Sequence, residues 1–181
     1  IVDVAGAWVG HFRGGLGYVA IFACVIMASL SGSAIADTAA VAALLIPMMR
    51  KAGYHIPRAS GLIASGGIIA PIIPPSIGFV MLGVVGNISI TKLFIAGIVP
   101  GLLMALALVL TWVVQARRDN MPRGEKMPLR ARLSATAAGF WALLLPLLIV
   151  GGLKAGYFTP TEAAVVAVFY ALFIGFVVYR E

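Results

Sequence analysis

The sequence predicts an all-α integral membrane protein, built from a re-entrant helical hairpin, a broken transmembrane helix and spanning helices. Three observations predict it. Of 181 residues, 62% are apolar and only 10% are charged, against roughly 25% charged in a soluble domain. So few charges cannot cover that much apolar surface in water, and the mean hydropathy of +1.08 says the same; lipid is the solvent that fits. The basic residues, 13 against 6 acidic, lie mostly in short stretches between apolar runs, the positive-inside pattern. Two neighbouring apolar segments are interrupted by small residues and prolines.

The hairpin region covers residues 1–58. Gly14 to Leu30 is apolar, Ser31-Gly32-Ser33 follows, and a second apolar arm runs from Ala34 to Met49 with Asp37 and Pro47 inside it. Arg13 and Arg50-Lys51 flank the outer ends, so both ends belong on the cytoplasmic side. Two tight full spans have the same parity, but the short arms favour two half-helices turning at the Ser-Gly-Ser tip.

Residues 59–91 form the broken helix. Gly66-Gly67, Pro71 and Pro74-Pro75-Ser76 interrupt an apolar stretch, and no continuous helix tolerates that cluster. Unwound backbone survives in lipid only when buried in protein or facing water. This segment therefore lines a cavity or packs against a partner.

Three runs are long enough to span: Leu93 to Val114, Ala135 to Leu153 and Ala163 to Tyr179, each near the ~20 residues a crossing needs. The first belongs to a helix over 92–116, and the other two fill 134–181. Between them, residues 117–133 read as a basic cytoplasmic loop, with six basic and two acidic residues from Arg117 to Arg132. Its part from Pro122 to Leu133 is mildly amphipathic and could lie on the inner leaflet, but an orienting cytoplasmic loop is the favoured reading. Thr159-Pro160-Thr161-Glu162 is a capping box opening the last helix. Parity closes with residues 50–58 inside, Asn87–Ser89 outside, Arg117-Arg118 inside, Lys154 outside and Arg180 inside. Of the 13 basic residues only Lys92 and Lys154 fall outside.

The chemistry sits at the two breaks. Half-helix C-termini expose carbonyls that coordinate cations, and half-helix N-termini favour anions. Hydroxyls of Ser31, Ser33 and Ser76 add oxygen ligands, and Gly32, Gly66 and Gly67 let backbone approach closely. Gly and Pro also simply pack membrane helices; two adjacent breaks with hydroxyls at both favour a site. Neutral carbonyls and hydroxyls suit a monovalent hard cation such as sodium. The candidate cation set is Ser31, Gly32, Ser33, Gly66, Gly67 and Pro71. Asp37 lies deep in an apolar region, where a charge costs roughly 2.5–3.5 kcal/mol. Two readings stand for it: a brace for the hairpin tip at a helix N-terminus, or electrostatic support for a cation site.

Other classes are excluded on the residues. There is no Gly-x-Ser-x-Gly elbow, no His-Glu-x-x-His and no phosphate loop, so neither an enzyme nor a nucleotide-driven pump is expected. Any transport driven here would take its energy from an ion gradient or from another chain. Cys24 is the lone cysteine, and His11 and His55 have no ligand partner at i+3 or i+4, so no transition-metal site or cofactor is expected. The pI of about 10.1 comes without a basic stripe interleaved with aromatics, so nucleic acid is not a partner. Beginning at Ile1 and ending at Glu181 just after an apolar run, the chain reads as a piece of a longer protein.

The stretches Ser31 to Ala40, Leu45 to Tyr54, Gly67 to Ser76, Lys92 to Gly101 and Gly156 to Ala164 resemble the large membrane subunit of tripartite ATP-independent periplasmic (TRAP) transporters, in the expected order and over nearly the whole chain. The resemblance implies a multi-pass subunit in a bacterial inner membrane. It implies partnership with a small membrane subunit, delivery of substrate by a periplasmic binding protein, and sodium-coupled uptake by an elevator motion. The implied substrates are organic acids: C4-dicarboxylates, sialic acid, sugar acids or keto acids. Ser31 to Ser33 corresponds to the first hairpin tip and Gly66 to Ser76 to the first break. Together they imply one sodium site and a substrate-site wall of Ser33, Pro74, Pro75 and Ser76. The family has an inverted repeat, and only the first hairpin and first broken helix occur here. The chain thus reads as half of an inverted-repeat elevator-type transporter. The alternatives are a sodium/anion symporter that needs no binding protein and a non-transporting membrane scaffold.

Overall fold

A computed structural model of the chain describes residues 2–124 and 126–179. The side chains of Ala142, Pro146, Lys154, Pro160, Thr161, Ala164 and Tyr179 lie outside that description, as does Arg180, so the sidedness read for Lys154 and Arg180 falls outside it too. Among the described residues the regular elements are helices, joined by short turns and loops: α1 Val2–Val9, α2 Gly15–Ser31, α3 Ala34–Lys51, α4 Ile56–Gly67, α5 Ile77–Gly86, α6 Ile90–Arg118, α7 Leu129–Ala155 and α8 Pro160–Phe173. A π-helical turn, Ile174–Tyr179, continues α8.

Local signals set most ends. Gly32 closes α2 at φ 62° with its N–H on the carbonyl of Ala28, and the Ser33 side chain caps α3. The side chain of Ser76 caps α5, and Asn87 ends it in the left-handed region. The capping box at Thr159 and Glu162 is present in full.

Lipid offers helices no hydrophobic drive to associate, so close packing of small residues does the work. Helix α2 shows this: Gly17, Ala20, Cys24 and Ala28 are all buried. Gly17 lies against the Trp112 indole of α6, whose Nε1 donates to the Gly14 carbonyl at 2.8 Å. The main core gathers Val19, Leu45, Met49, Ile63 and Trp112 between α2, α3, α4 and α6. A second core, around Phe94, Ile149, Leu153 and Ala163, joins α6, α7 and α8.

One end of the bundle collects three chain segments. Arg58 at the start of α4 is ion-paired with Asp119 just past α6. The Gly14 N–H donates to the Pro122 carbonyl at 3.1 Å. Residues 13–14, 58 and 119–123 therefore share one end.

The structure departs from the sequence reading in three places. Helix α1 lies inside the range read only as hairpin region. The basic loop is shorter than 117–133, because α7 begins at Leu129; Leu-Arg-Ala-Arg-Leu are strong helix formers with no breaker among them. Of the three expected spans, α6 alone is long and apolar enough to cross a membrane; α7 is a second if its arms Leu129–Trp141 and Leu143–Leu153, bent by 56°, form one span. The third run is 14 residues of α-helix passing into the π turn.

Candidate functional site

The two breaks meet. Helices α2 and α3 turn at Gly32-Ser33, and α4 and α5 are separated by residues 68–76, where the Pro74–Pro75 bond is cis. A Cβ on Gly32 would stand 2.5 Å from the Pro75 carbonyl oxygen and 3.0 Å from the Cα of Ser76. Only glycine allows that approach at a positive φ. On its other side the break packs on α6, where Gly101 faces Ile73, and Gly97 faces the Ile72 carbonyl and the Phe79 ring. Ile69, Ala70 and Ile73 form a small core with Ala28 of α2. The unwound backbone is thus buried in protein, as membrane depth requires.

The tip is internally bonded. The Ser31 hydroxyl donates to Asp37 Oδ1 at 2.5 Å and accepts from the Ser33 N–H at 3.1 Å. The Ser33 hydroxyl accepts from the Ala36 N–H at 3.4 Å. Asp37 is 1% exposed, and its Oδ2 is buried without a hydrogen-bond partner. A buried carboxylate oxygen left unpaired is costly, and it is the kind of oxygen a hard cation takes. Asp37 therefore braces the tip through Oδ1, while Oδ2 stays open.

The break is also internally bonded. The Ser76 hydroxyl, in a residue 1% exposed, donates to the Pro71 carbonyl at 2.5 Å and accepts from the Phe79 N–H at 3.3 Å. Pro71 thus has its carbonyl engaged within the break. Gly66 lies against Cys24, a Cβ there falling 2.8 Å from Sγ. Gly67 lies against the Thr38 hydroxyl and the Ala34 carbonyl. Thr38 was not singled out from the sequence, although it follows Asp37 in the first turn of α3. Its signal was the hydroxyl beside a membrane-depth carboxylate.

Ser31, Gly32, Ser33 and Asp37 therefore lie together, Gly32 touches Pro75 and Ser76, and Gly67 closes on the first turn of α3. The apolar side chains of Ile35 (85% exposed) and Ile77 (62% exposed) remain open beside this junction.

The family profile described as "Tripartite ATP-independent periplasmic transporter, DctM component" matches residues 1–181. The chain belongs to that family. Its DctM relatives include the 2,3-diketo-L-gulonate TRAP transporter large permease protein YiaN of Escherichia coli (strain K12), 60% identical over 181 residues, which are 100% of this chain and 43% of that protein. The sialic acid TRAP transporter permease protein SiaT of Haemophilus influenzae (strain 86-028NP) is 43% identical over 100% of this chain and 29% of its own length. The C4-dicarboxylate TRAP transporter large permease protein DctM of Pseudomonas aeruginosa is 42% identical over 100% of this chain and 42% of its own length. This DctM-family chain spans less than half the length of these curated relatives. The resemblance read at the hairpin, the break and the later helices is thereby established, and the relatives are membrane transporter permeases, not enzymes.

Proposed function

We propose that this chain is the first-repeat part of the large permease of a sodium-coupled secondary transporter that imports organic acids. The observation that carries the reading is the seating of the hairpin tip on the break, Gly32 on Pro75 and Ser76, beside a buried Asp37 oxygen with no hydrogen-bond partner. In this reading α2 and α3 are the arms of a re-entrant hairpin, and α4 and α5 the halves of a broken transmembrane helix. Ser31, Gly32, Ser33, Gly66, Gly67 and Pro71 surround the sodium ion, with Asp37 balancing its charge. Ser33, Pro74, Pro75 and Ser76 form one wall of the substrate site. The exposed Ile35 and Ile77 are covered by the second repeat, which moves with this one in an elevator step.

A small membrane subunit and a periplasmic binding protein complete the transporter in a bacterial inner membrane, crossed several times by the permease. The substrate is a dicarboxylate, a sugar acid or a keto acid. 2,3-Diketo-L-gulonate, named for the relative at 60% identity, is the first compound to try. The test is uptake of labelled acids into proteoliposomes holding the full-length permease and small subunit, with and without an inward sodium gradient and the binding protein. Uptake needing both supports the reading. Uptake needing sodium alone makes the protein a symporter without a binding protein. No uptake of any acid by folded protein overturns it.

A further inference from the structure

A groove of about 920 Å³ opens on the side of the bundle between α2 and α6, away from the hairpin tip. Its long walls are apolar, with Phe22 and Val25 on α2 and Leu102 and Val109 on α6. One end carries His11, Arg13, Arg117 and Arg123, and among the described residues no carboxylate lines it. Among the described residues none of these four lies within ion-pair distance of a carboxylate. Asp119, close in sequence to Arg117, is taken by Arg58 and Gln115. Arg13 donates to the neutral Asn120 side chain at 3.1 Å, which leaves its charge uncompensated. The His11 Nδ1 is buried without a hydrogen-bond partner.

The cations are held in place rather than scattered on a free loop. Backbone pairing joins Arg13 to Arg123, and the Gly14 N–H donates to the Pro122 carbonyl. Like charges gathered at the edge of the hydrocarbon call for an anion. The walls decide which anion. From Arg117 to Leu102 the groove follows 15 residues of α6, about 22 Å at ~1.5 Å per residue. That exceeds half of the ~30 Å hydrocarbon core. A small water-soluble acid satisfies the rim and leaves this wall unused, whereas a headgroup phosphate with an acyl chain satisfies both.

We propose that this groove binds an anionic phospholipid of the cytoplasmic leaflet. Its phosphate sits among Arg13, Arg117 and Arg123 with His11 at the rim. One acyl chain lies along Phe22, Val25, Leu102 and Val109, bridging the first hairpin arm to α6.

The test is native mass spectrometry of the full-length permease with its small subunit, delipidated and then titrated with phosphatidylglycerol or phosphatidylcholine of identical chains. We expect phosphatidylglycerol to be retained at least tenfold better. The triple variant Arg13→Gln, Arg117→Gln, Arg123→Gln should lower that preference at least fivefold, and the corresponding Lys triple should keep most of it. Ala105→Trp, which fills the apolar wall, should reduce retention of phosphatidylglycerol with all charges intact. If the triple variant does not fold, the single Arg123→Gln in the loop and Ala105→Trp decide. Equal retention of the two lipids, or retention unmoved by the variants, overturns the proposal. So does displacement of phosphatidylglycerol by inorganic phosphate alone. So does a disulfide between a cysteine placed at Ala105 and another helix of the permease in native membranes, since protein then fills the groove.

Discussion

Gly32 and Pro75 meet backbone to backbone: a Cβ on the glycine would fall 2.5 Å from the proline carbonyl oxygen. The hairpin tip has no space between itself and the break, so the two interruptions form one structural unit.

Gly32→Ala should therefore be costly twice over. The left-handed backbone, φ 62°, costs an ordinary side chain about 1–2 kcal/mol, and the overlap with Pro75 adds to it. Gly53→Ala is the control, because Gly53 has φ 78° and nothing within 4 Å of its Cβ position. Thermal unfolding of the full permease should fall further for Gly32→Ala than for Gly53→Ala, with uptake lost only in the first. Equal falls would mean that the tip and the break do not press on each other.

Asp37→Asn should raise the sodium concentration for half-maximal uptake, because it neutralises the carboxylate whose Oδ2 stands open. Ser31→Ala should do the same less strongly, because it removes a hydroxyl from the proposed ion shell and the bond that orients Asp37. Ser33→Ala should cost about 1 kcal/mol of stability as a lost helix cap, and a raised sodium requirement on top if its hydroxyl serves the ion. Sodium titrations of uptake at matched expression decide. Unchanged curves for Asp37→Asn would remove it from the ion site.

Ser76→Ala should destabilise the permease by roughly 1–3 kcal/mol, the cost of leaving buried polar groups unpaired. The substitution frees both the Pro71 carbonyl and the Phe79 N–H. Thermal unfolding reads the loss; a variant as stable as the parent would show that the break does not depend on this bridge.

Asp119 ties the end of α6 to the start of α4. The Gln115 amide and then the Arg58 guanidinium hold its carboxyl below the usual value of 3.8. A depressed folded value means the tie is fully present above the unfolded value and is lost as pH falls through the folded one. Asp119→Asn should thus be less stable than the parent at neutral pH, and the gap should close progressively below about pH 4. Thermal unfolding across that range checks it. A gap that does not change with pH would assign the effect to packing instead of charge.

Particular residues show why some features were legible in the sequence. Ser31-Gly32-Ser33 and Gly66 to Ser76 stop helices by local chemistry: a left-handed cap, hydroxyl caps and prolines without N–H groups. Such signals act over a few residues, so the breaks appear in the structure where the residues put them. Thr159 and Glu162 likewise form their capping box from spacing alone. Leu129 to Leu133 was harder. Its arginines resemble a loop by charge, while its backbone preference is helical. Helix α1, with 8 residues, was too short to stand out by periodicity.

By itself, the sequence determined that this chain lives in lipid, which end carries the positive charge, and where its helices must break. Those follow from composition and from steric and hydrogen-bonding rules that operate within a turn or two. Only the tertiary structure decided that Gly32 lands on Pro75, that Thr38 closes on Gly67, and that Arg13, Arg117 and Arg123 converge at one groove. A glycine records that something comes close without recording what, and an arginine records charge without recording its neighbours. Those identities arise only when residues distant in the chain pack together.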